Sequence, residues 1–321
     1  MKIKGLVLRV ESKDYYIYSI EKDEVIRSAL RGKFKKDFNL KRDKLYLTDI
    51  AVAGDIVDFE LQNDGTGYIH NIRKRRNYLS RKAPRIKGAG YRGERLEQVV
   101  AANIDELFIV SSVYEPDFNN KVIDRFLISG ESSKINVSII INKTDLDKEN
   151  FIREWAELYK SIGYKVYLTS AITNEGIKRL KSELKGKINL FWGHSGVGKS
   201  SLLNVMFPSL NLRTGSISTS TDKGTHTTVT SEMIKVKPET YIIDTPGIRE
   251  VEPYGVRKED LGHYFPEFVP FINHCKFNTC THDHEPGCAI IEAVEEDKIS
   301  PYRYDSYLKI LETIEQDIIF R

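Results

Sequence analysis

A glycine-rich octapeptide in the second half of the chain has the spacing of a phosphate-binding loop. Gly193-His-Ser-Gly-Val-Gly-Lys-Ser200 fits G-x-x-x-x-G-K-[ST] and stands between a strand-like segment, Ile188–Trp192, and a helix-compatible one, Ser201–Met206. Glycines in such a loop let backbone N–H groups point at phosphate oxygens, and the positive end of the following helix adds to the attraction. Lys199 would reach the β- and γ-phosphates, and the Ser200 hydroxyl would coordinate Mg²⁺. We therefore predict a nucleotide site formed by Gly193, His194, Ser195, Gly196, Val197, Gly198, Lys199, Ser200 and Ser201.

Two further segments predict that the base is guanine. Asn142-Lys-Thr-Asp145 follows the apolar run Val137–Ile141, so it stands at the end of a buried strand. The Asp145 carboxylate can accept hydrogen bonds from guanine N1–H and the exocyclic amine, a pattern that adenine cannot supply. Lys143 can lie along the base plane, and Ser170-Ala171 could offer a backbone N–H to the guanine carbonyl oxygen. The predicted base-binding residues are Asn142, Lys143, Thr144, Asp145, Ser170 and Ala171.

A third motif, Asp244-Thr-Pro-Gly247, follows the strand-like Tyr241–Ile243. Asp244 would hold Mg²⁺ through water, and the Gly247 amide would contact the γ-phosphate. Upstream lies a polar, turn-rich segment containing Gly224-Thr-His-Thr-Thr228, where Thr227 or Thr228 would complete the magnesium shell in the GTP state. A proline turn after a strand is the alternative interpretation of the Asp244 motif.

The order of the motifs is permuted. Conventional GTPases present the glycine loop first and the guanine-reading motif later, whereas here Asn142–Asp145 precedes Gly193–Ser200. Loops at one edge of a parallel sheet can be joined in different orders and still converge, and neighbouring termini make circular permutation tolerable. The γ-phosphate segment Asp244–Gly247 then leads directly into the C-terminal region, so hydrolysis could move that region.

The elements that position these motifs alternate between strands and helices from about Val99 to Pro246. Apolar strands such as Glu106–Val110 are interspersed with helical segments, among them Lys121–Ser129 and Phe151–Ser161. This alternation indicates a parallel sheet covered on both faces, with ligands at the carboxyl ends of its strands.

The regions on either side differ from this α/β pattern. Strand-like segments at Ile3–Val10, Tyr15–Ile20 and Asp55–Leu61 predict a five-stranded OB-type barrel, with another small β-domain as the alternative. The C-terminal region ends in a predicted amphipathic helix, Tyr304–Ile318. The three cysteines, Cys275, Cys280 and Cys288, cluster in that region and point to a metal more than to disulfides.

Basic residues concentrate between Arg73 and Arg95, where Glu94 is the single acid. Because this stretch also holds Pro84 and three glycines, we predict a mobile linker without regular structure over Leu79–Arg95. Such a block is either a solvated tail or a surface for nucleic-acid phosphate. The residues predicted to bind RNA as a group are Arg73, Lys74, Arg75, Arg76, Arg81 and Lys82.

Length and composition set the remaining bounds. The chain has 321 residues, 40% hydrophobic and 30% charged, which is typical of a folded soluble protein of more than one domain. It has no apolar run of about eighteen residues and no signal peptide at its N-terminus. We expect a cytoplasmic, monomeric protein with no membrane partner. The expected domains are a barrel over 1–75, a basic linker over 76–96, a permuted GTPase domain over 97–250 and a mainly helical, metal-binding domain over 251–321.

Together these features resemble the ribosome-small-subunit-dependent GTPase A family, the circularly permuted GTPases also called YjeQ or YloQ. The motifs NKTD, SA, GHSGVGKSS, GTHTT and DTPG occur in permuted order after a barrel-like start, and Cys275-x4-Cys280-x-His282-x5-Cys288 follows. The resemblance covers nearly the whole chain. It implies an OB barrel, a permuted GTPase domain and a zinc-binding C-terminal domain. It also implies binding of GTP and GDP, and binding to the small ribosomal subunit and its rRNA late in maturation, with the subunit stimulating GTP hydrolysis.

The family spacing selects His282 as the fourth zinc ligand, although His274 and His284 lie nearby. Cys275, Cys280, His282 and Cys288 would then hold one structural Zn²⁺, because four protein ligands leave no open position for water. Coincidental thiols in a small core are the alternative.

The residue that activates water is less defined. Ras-like GTPases place a water-orienting glutamine just after their Asp-x-x-Gly motif, and here that position is Ile248. Intrinsic hydrolysis should therefore be slow and need help from elsewhere. His226 is the candidate catalytic residue, because an imidazole could orient or deprotonate water. The alternative is that His226 contacts RNA or only shapes its loop.

Two other functions compete with a GTPase. A P-loop ATPase or kinase is opposed by the Asn142–Asp145 motif, and an RNA-binding module with an inactive nucleotide site is opposed by the intact Lys199, Ser200 and Asp244.

Overall fold

The N-terminal region is a closed five-stranded barrel. The computed structural model describes residues 2–32, 50–82, 97–212, 231–244 and 255–314. The barrel strands are β1 (Lys2–Glu11), β2 (Asp14–Ser19), β3 (Glu24–Leu30), β4 (Ile56–Leu61) and β5 (Gly67–Ile72). Their order is β1-β2-β3-β5-β4, and β1 pairs with β4 to close the barrel. The side chains of Val7, Ile17 and Phe59 fill its interior, because alternate residues of a strand face the same side. The predicted barrel is confirmed.

A two-stranded antiparallel sheet follows, formed by β6 (Tyr78–Lys82) and β7 (Glu97–Ala102). The prediction of a linker without regular structure from Leu79 is therefore wrong at its start. Leu79 is fully buried in the core shared with the central domain, and the pairing with β7 satisfies the backbone of the basic residues beside it. Because most of the surrounding residues are charged, little in the sequence indicates that Leu79 is buried. Residues 83–96, the rest of the predicted linker, lie outside the described ranges.

The central domain is built on a six-stranded sheet in the order β10-β9-β8-β11-β13-β12. Its strands are β8 (Glu106–Ser112), β9 (Asn136–Asn142), β10 (Lys165–Leu168), β11 (Ile188–Trp192), β12 (Glu232–Lys237) and β13 (Thr240–Asp244). All neighbours are parallel except the edge strand β12, which is antiparallel to β13. The carboxyl ends of five strands therefore meet at one edge.

Helices cover both faces of this sheet, as predicted. They are α1 (Asn120–Ser132), α2 (Ile152–Ile162), α3 (Ile177–Glu183) and α4 (Lys199–Met206). Leu107 and Ile109 of β8 pack in the core with α1 and α2, whereas Phe108 and Val110 pack in the core with α3 and α4. This alternation along one strand is what two buried faces require.

The C-terminal region is mainly helical. It contains a 3-10 helix at Lys258–Tyr264, α5 (Val269–Ile272), α6 (Ala289–Glu295) and α7 (Pro301–Thr313). The predicted final helix exists, but it begins at Pro301 instead of Tyr304, because a proline is well tolerated in the first helical turn. It ends at Thr313, and the predicted end at Ile318 lies outside the described ranges. Phe265, Phe268 and Tyr307 form the centre of its core.

The contacts between these regions include two groups of charged side chains. Helix α7 packs against α1, and Arg303 lies between Asp124 of α1 and Glu267. At the other side of the molecule the barrel contacts β12, where Lys235 Nζ donates to Asp23 Oδ1 at 2.8 Å. Within the described residues, no helix combines the length and the apolar character needed to cross a membrane.

Candidate functional site

The glycine loop lies between β11 and α4 at the carboxyl edge of the sheet. A Cβ atom on Gly193 would lie 2.1 Å from the Val110 carbonyl oxygen, and one on Gly198 would lie 2.3 Å from Asn142 Nδ2. Gly198 also has φ of +93°, in the left-handed region that favours glycine. The backbone therefore passes so close to two neighbouring strands that side chains at these positions have no room.

Lys199 is folded back onto this loop. Its Nζ donates hydrogen bonds to the carbonyl oxygens of Gly193 at 2.6 Å and His194 at 2.9 Å. Burial lowers the pKa of Lys199, and the charge of Asp244 opposes that effect. A phosphate group in the loop would add counter-charge for the partly buried ammonium. Ser200 and Ser201, in the first turn of α4, are half-buried beside it.

The Asn142–Asp145 segment leaves the end of β9 and is tied to the glycine loop. Asn142 is buried, and its Nδ2 donates to the Val197 carbonyl oxygen at 2.9 Å. Its Oδ1 accepts from Thr169 Oγ1 at 3.2 Å. One side chain thus connects the loops that follow β9, β10 and β11. Lys143 has φ of +63° and donates through Nζ to the Glu115 carbonyl oxygen, which keeps its chain against the glycine loop.

Asp145 and Ser170 face each other across the loops after β9 and β10. Ser170 Oγ donates to Asp145 Oδ1 at 2.5 Å and accepts from the backbone N–H of Thr173 at 3.1 Å. Asp145 is exposed, so one of its carboxylate oxygens is held while the group still faces solvent. Ala171 directly follows Ser170 and is half-buried. Such an arrangement can present a carboxylate and a backbone N–H side by side to one edge of a planar base.

Glu175 is a residue of this site that the sequence did not suggest. Its Oε2 accepts from Thr144 Oγ1 at 2.6 Å, and its carbonyl oxygen accepts from the Ser170 N–H at 3.1 Å. It therefore bridges the loop after β9 to the loop after β10. The only signal in the sequence is its place in the turn Thr173-Asn-Glu-Gly176, five residues after Ser170.

Asp244 ends β13 and is in register with Phe191 of β11, so it lies at the same edge of the sheet as the glycine loop. The structure thus brings together the described residues of the three predicted motifs. Several predicted residues lie outside the described ranges: Gly247, the proposed catalytic His226, and the magnesium ligands Thr227 and Thr228.

His194 is held beside α1. Its ring makes an edge contact with Phe126, with centroids 5.8 Å apart, and Phe126 packs against Trp192. Burial, together with the charge of Lys199, lowers the pKa of His194. The imidazole is therefore neutral at pH 7 and adds no positive charge to the loop.

The four predicted metal ligands converge in the C-terminal region. The ligand atoms of Cys275, Cys280, His282 and Cys288 all lie within 4.8 Å of one another, and this cluster could hold a metal ion. His282 Nδ1 lies 3.5 Å from Cys275 Sγ and 3.4 Å from Cys288 Sγ. The other side of the imidazole faces Gly262, where an added Cβ would approach within 3.0 Å.

The backbone around His282 is held in an uncommon conformation. His282 has φ of +56°, which costs about 1 kcal/mol or more for a non-glycine residue. The hydroxyl of Tyr304 donates to the His282 carbonyl oxygen at 2.8 Å, and that of Tyr307 donates to the Thr281 carbonyl oxygen at 2.5 Å. Two tyrosines of α7 thus hold the strained segment that places the imidazole among the thiols.

Three of the arginines predicted to bind RNA are engaged by carboxylates. Arg73 pairs with Asp58 at 2.6 Å and Arg76 pairs with Asp105 at 2.7 Å, both near the surface. Arg75 pairs with the buried Asp55 at 2.8 Å, and only 16% of its side chain is exposed. Lys74 is exposed, and Arg81 Nε donates to Gln98 at 3.1 Å. The side chain of Lys82 lies outside the described part.

Comparison with protein families gives matches along most of the chain. A family model described as RsgA GTPase matches residues 72–253, and one described as RsgA N-terminal domain matches residues 4–69.

Known proteins similar to the chain include bacterial relatives and solved structures. A relative from Bacteroides fragilis named "Small ribosomal subunit biogenesis GTPase RsgA" is 38% identical over 317 residues, which cover 98% of each chain. One of the same name from Chlorobaculum tepidum is 39% identical over 271 residues, 83% of this chain and 86% of the relative. The crystal structure of YjeQ from Thermotoga maritima matches with a TM-score of 0.77 at 34% identity, covering 97% of this chain and 98% of that one. A structure described as YloQ, a circularly permuted GTPase, matches with a TM-score of 0.72 at 30% identity, covering 97% and 94%.

Proposed function

Because the chain belongs to the RsgA GTPase family, we propose that it hydrolyses GTP on the small ribosomal subunit during late maturation of that subunit. The observation that carries the proposal is the link through Asn142, which joins the guanine-reading loop to the glycine loop in a chain whose relatives are named for small-subunit biogenesis. The site of action is then the cytoplasm, where small subunits are available.

In this proposal the nucleotide lies across the carboxyl edge of the sheet. The Asp145 carboxylate accepts hydrogen bonds from two N–H groups of guanine. Ser170, which is hydrogen-bonded to Glu175, holds that carboxylate in place. The backbone of Gly193–Gly198 and the ammonium of Lys199 bind the phosphates. Thr144, Ala171 and Ser201 line the loops around the nucleotide, and Gly247 contacts the γ-phosphate.

Mg²⁺ would be held by the Ser200 hydroxyl and the Asp244 carboxylate at the carboxyl edge of the sheet. Ser200 in the first turn of α4 and Asp244 at the end of β13 lie on adjacent elements, and oxygen ligands of this type suit a hard cation. Thr227 or Thr228 supplies a further oxygen in the GTP state. When bound, the ion neutralises charge on the phosphates.

We propose that the metal of the C-terminal cluster is Zn²⁺, one per chain. Tetrahedral zinc with Zn–S bonds of about 2.3 Å and Zn–N bonds of about 2.0–2.1 Å places sulfur and nitrogen ligands roughly 3.5 Å apart. The distances from His282 Nδ1 to Cys275 Sγ and Cys288 Sγ, 3.5 and 3.4 Å, fit that value. Four protein ligands leave no open position, so the metal is structural. Metal analysis of the purified protein should give one equivalent of zinc, and a zinc-free, folded protein would contradict the assignment.

Subunit binding is proposed to use the basic residues near the barrel. Lys74, Arg76 and Arg73 have exposed head groups, so they can contact rRNA phosphates, with Arg81 and Lys82 beside them on β6. Arg75 would instead position this segment through its pair with Asp55. The domain bounds 1–75, 76–96, 97–250 and 251–321 are part of the same proposal, as is action as a monomer with no membrane partner.

The direct experiment measures GTP hydrolysis with and without purified small subunits, and repeats the binding step with ATP as competitor. We expect slow turnover alone, a clear increase with subunits, and no displacement of GTP by ATP. A rate of GTP hydrolysis that does not change when subunits are added would reject the proposed function. Competition by ATP as strong as that by GTP itself would also reject it. His226→Ala is expected to lose most of the stimulated turnover while binding GTP normally. Full stimulated turnover in that variant would remove His226 from the mechanism.

A further inference from the structure

Helix α3 carries a row of lysines along one side of a groove on the central domain. A concavity of about 290 Å³ is lined by Lys178 and Lys181 of α3 and by Lys185, just after its end, on one wall and by Lys237, the last residue of β12, on the other. Phe207 lies at its base, and the Lys181 ammonium sits 5.0 Å from the centre of that ring. We call this concavity the α3 groove. It adjoins a second one that also contains Lys178 and adds Arg179.

Packing of α3 against the core keeps these lysines at the surface. Lys178 and Lys181 are three residues apart in α3, so their side chains lie on one face of the helix, and Lys185 follows two residues after its end. The adjacent face carries Ile177, Leu180 and, directly after the helix, Leu184, which are buried in the core. Burial of that face holds the cationic one outward.

The positive charge of the groove is not neutralised within the described ranges. No described carboxylate forms an ion pair with Lys178, Lys181, Lys185 or Lys237. Glu183, the acid on the same helix, pairs instead with Lys165 at 3.2 Å, and that contact lowers its pKa. Glu239 lies exposed in the neighbouring turn without an ion pair to these lysines. By contrast, Arg73, Arg75 and Arg76 all have carboxylate partners.

The form of the groove selects an extended polyanion over a small anion. Lys178 and Lys185 are seven positions apart, about 10 Å at the helical rise per residue, so the row is longer than a single phosphate group. Its ammonium groups are mostly exposed instead of converging on one point. A chain of phosphates matches both the length and the charge. Ammonium groups of this kind contribute affinity through counterion release and carry no base specificity.

We propose that the α3 groove binds rRNA of the small subunit through its phosphate backbone, at a surface separate from the nucleotide site. The inference rests on the proposed function, because it takes the subunit as the partner. It places an RNA contact on the sheet face covered by α3 and α4, opposite the face on which α1 carries the C-terminal region. The subunit would therefore contact the central domain directly, in addition to the basic segment at residues 73–82.

The test compares two triple variants that remove the same charge. K178Q/K181Q/K185Q changes the groove, and lysine and glutamine have similar helix propensities. The control, K148Q/R153Q/K160Q, removes three exposed cations on the face that carries α2. Affinity for purified small subunits is measured with a non-hydrolysable GTP analogue over a range of salt concentrations. Hydrolysis without subunits serves as the folding readout and should stay within about twofold for both variants.

We expect the groove variant to bind subunits at least about tenfold more weakly at 0.1 M salt. The slope of log K against log salt should also become shallower by about two to three, because each phosphate contact contributes roughly 0.7–0.9 to it. The control should keep the wild-type slope. Equal losses of subunit affinity in both variants would mean that only net charge matters, and this would overturn the proposal. A groove variant with wild-type affinity would also overturn it. If the wild-type protein itself fails to bind subunits, it is the proposed function that fails.

A cross-linking experiment distinguishes whether RNA or ribosomal protein occupies the α3 groove. A photoreactive residue in place of Ser182, which lines both concavities, should attach to rRNA when the complex is irradiated. Attachment to ribosomal proteins alone would overturn the proposal.

Discussion

Replacing Arg303 by methionine should destabilise the junction between the central domain and the C-terminal region more than any surface change at that junction. Arg303 is 1% exposed and donates to Asp124 Oδ1, which lies on α1 and is fully buried. It also donates to Glu267 at 2.6 and 3.3 Å. Methionine fills similar space but leaves the Asp124 carboxylate with only the Tyr159 hydroxyl, at 2.7 Å, among these partners.

The magnitude follows from removing one member of a buried ion pair. Such a change costs about 3–5 kcal/mol, because a buried charge loses its counter-ion while its desolvation remains. That corresponds to roughly two to four orders of magnitude in the unfolding equilibrium, or about 6–20 °C in Tm for a cooperative unit of 150–250 residues. The double variant R303M/D124N should recover a large part of the loss, because the amide keeps an oxygen for Tyr159 and carries no charge.

The loss should also depend on pH. Burial raises the pKa of Asp124, and the charge of Arg303 is the largest influence against that rise. Without Arg303 the folded-state pKa rises further above its unfolded value of about 3.9. A raised folded-state pKa contributes stability below the unfolded pKa and loses it as the pH rises through the folded one. The deficit of R303M relative to wild type should therefore be larger at pH 8 than at pH 5.5, and R303M/D124N should not show that trend.

Urea unfolding followed by tryptophan fluorescence measures these differences. The two tryptophans of the chain flank the junction: Trp155 packs against Tyr302 of α7 with centroids 5.2 Å apart, and Trp192 packs against Phe126 of α1. Lys121→Met is the matched control, because Lys121 pairs with Asp305 across the same helices but both groups are about half exposed. It should cost less than about 1 kcal/mol. A cost for R303M no larger than that of K121M, or a deficit independent of pH, would refute the reasoning.

Three further outcomes test the sites. In a fluorescent-nucleotide titration, Asp145→Asn should weaken GTP binding by about 10- to 150-fold, the effect of one hydrogen bond to a charged group. An unchanged affinity would show that Asp145 does not recognise guanine. Asn142→Ala should weaken GDP and GTP alike by about 5- to 150-fold, because it cuts the 2.9 Å bond to Val197 without touching the γ-phosphate; a loss for GTP alone would contradict this role. Cys280→Ser should release the metal that we propose to be zinc and expose the C-terminal region to limited proteolysis. The control Thr279→Ser, at an exposed neighbouring position, should retain both metal and protection.

The motifs that we propose to form the nucleotide site can be recognised in the sequence because each is a short, contiguous segment. The glycine spacing of Gly193–Ser200 is dictated by local backbone geometry, and the apolar runs before Asn142 and Asp244 mark strand ends that meet at one edge of a parallel sheet. The cysteine cluster likewise lies within fourteen residues, Cys275 to Cys288, so its convergence needs only local folding. The barrel was visible for the same reason, in the alternation along its strands.

Only the tertiary structure decided which charges are free and which are paired. Arg75 and Arg303 are separated from Asp55 and Asp124 by 20 and 179 residues, and no pattern along the chain links partners at such distances. Three arginines of the basic segment are therefore ion-paired, although the sequence gives no sign of it. Likewise, only the fold places Lys237 across from the lysines of α3. Local order follows from backbone conformation and side-chain period, whereas charge compensation depends on which distant elements pack together. That is why the sequence could suggest candidate nucleotide and metal ligands but not which surface charges stay unpaired.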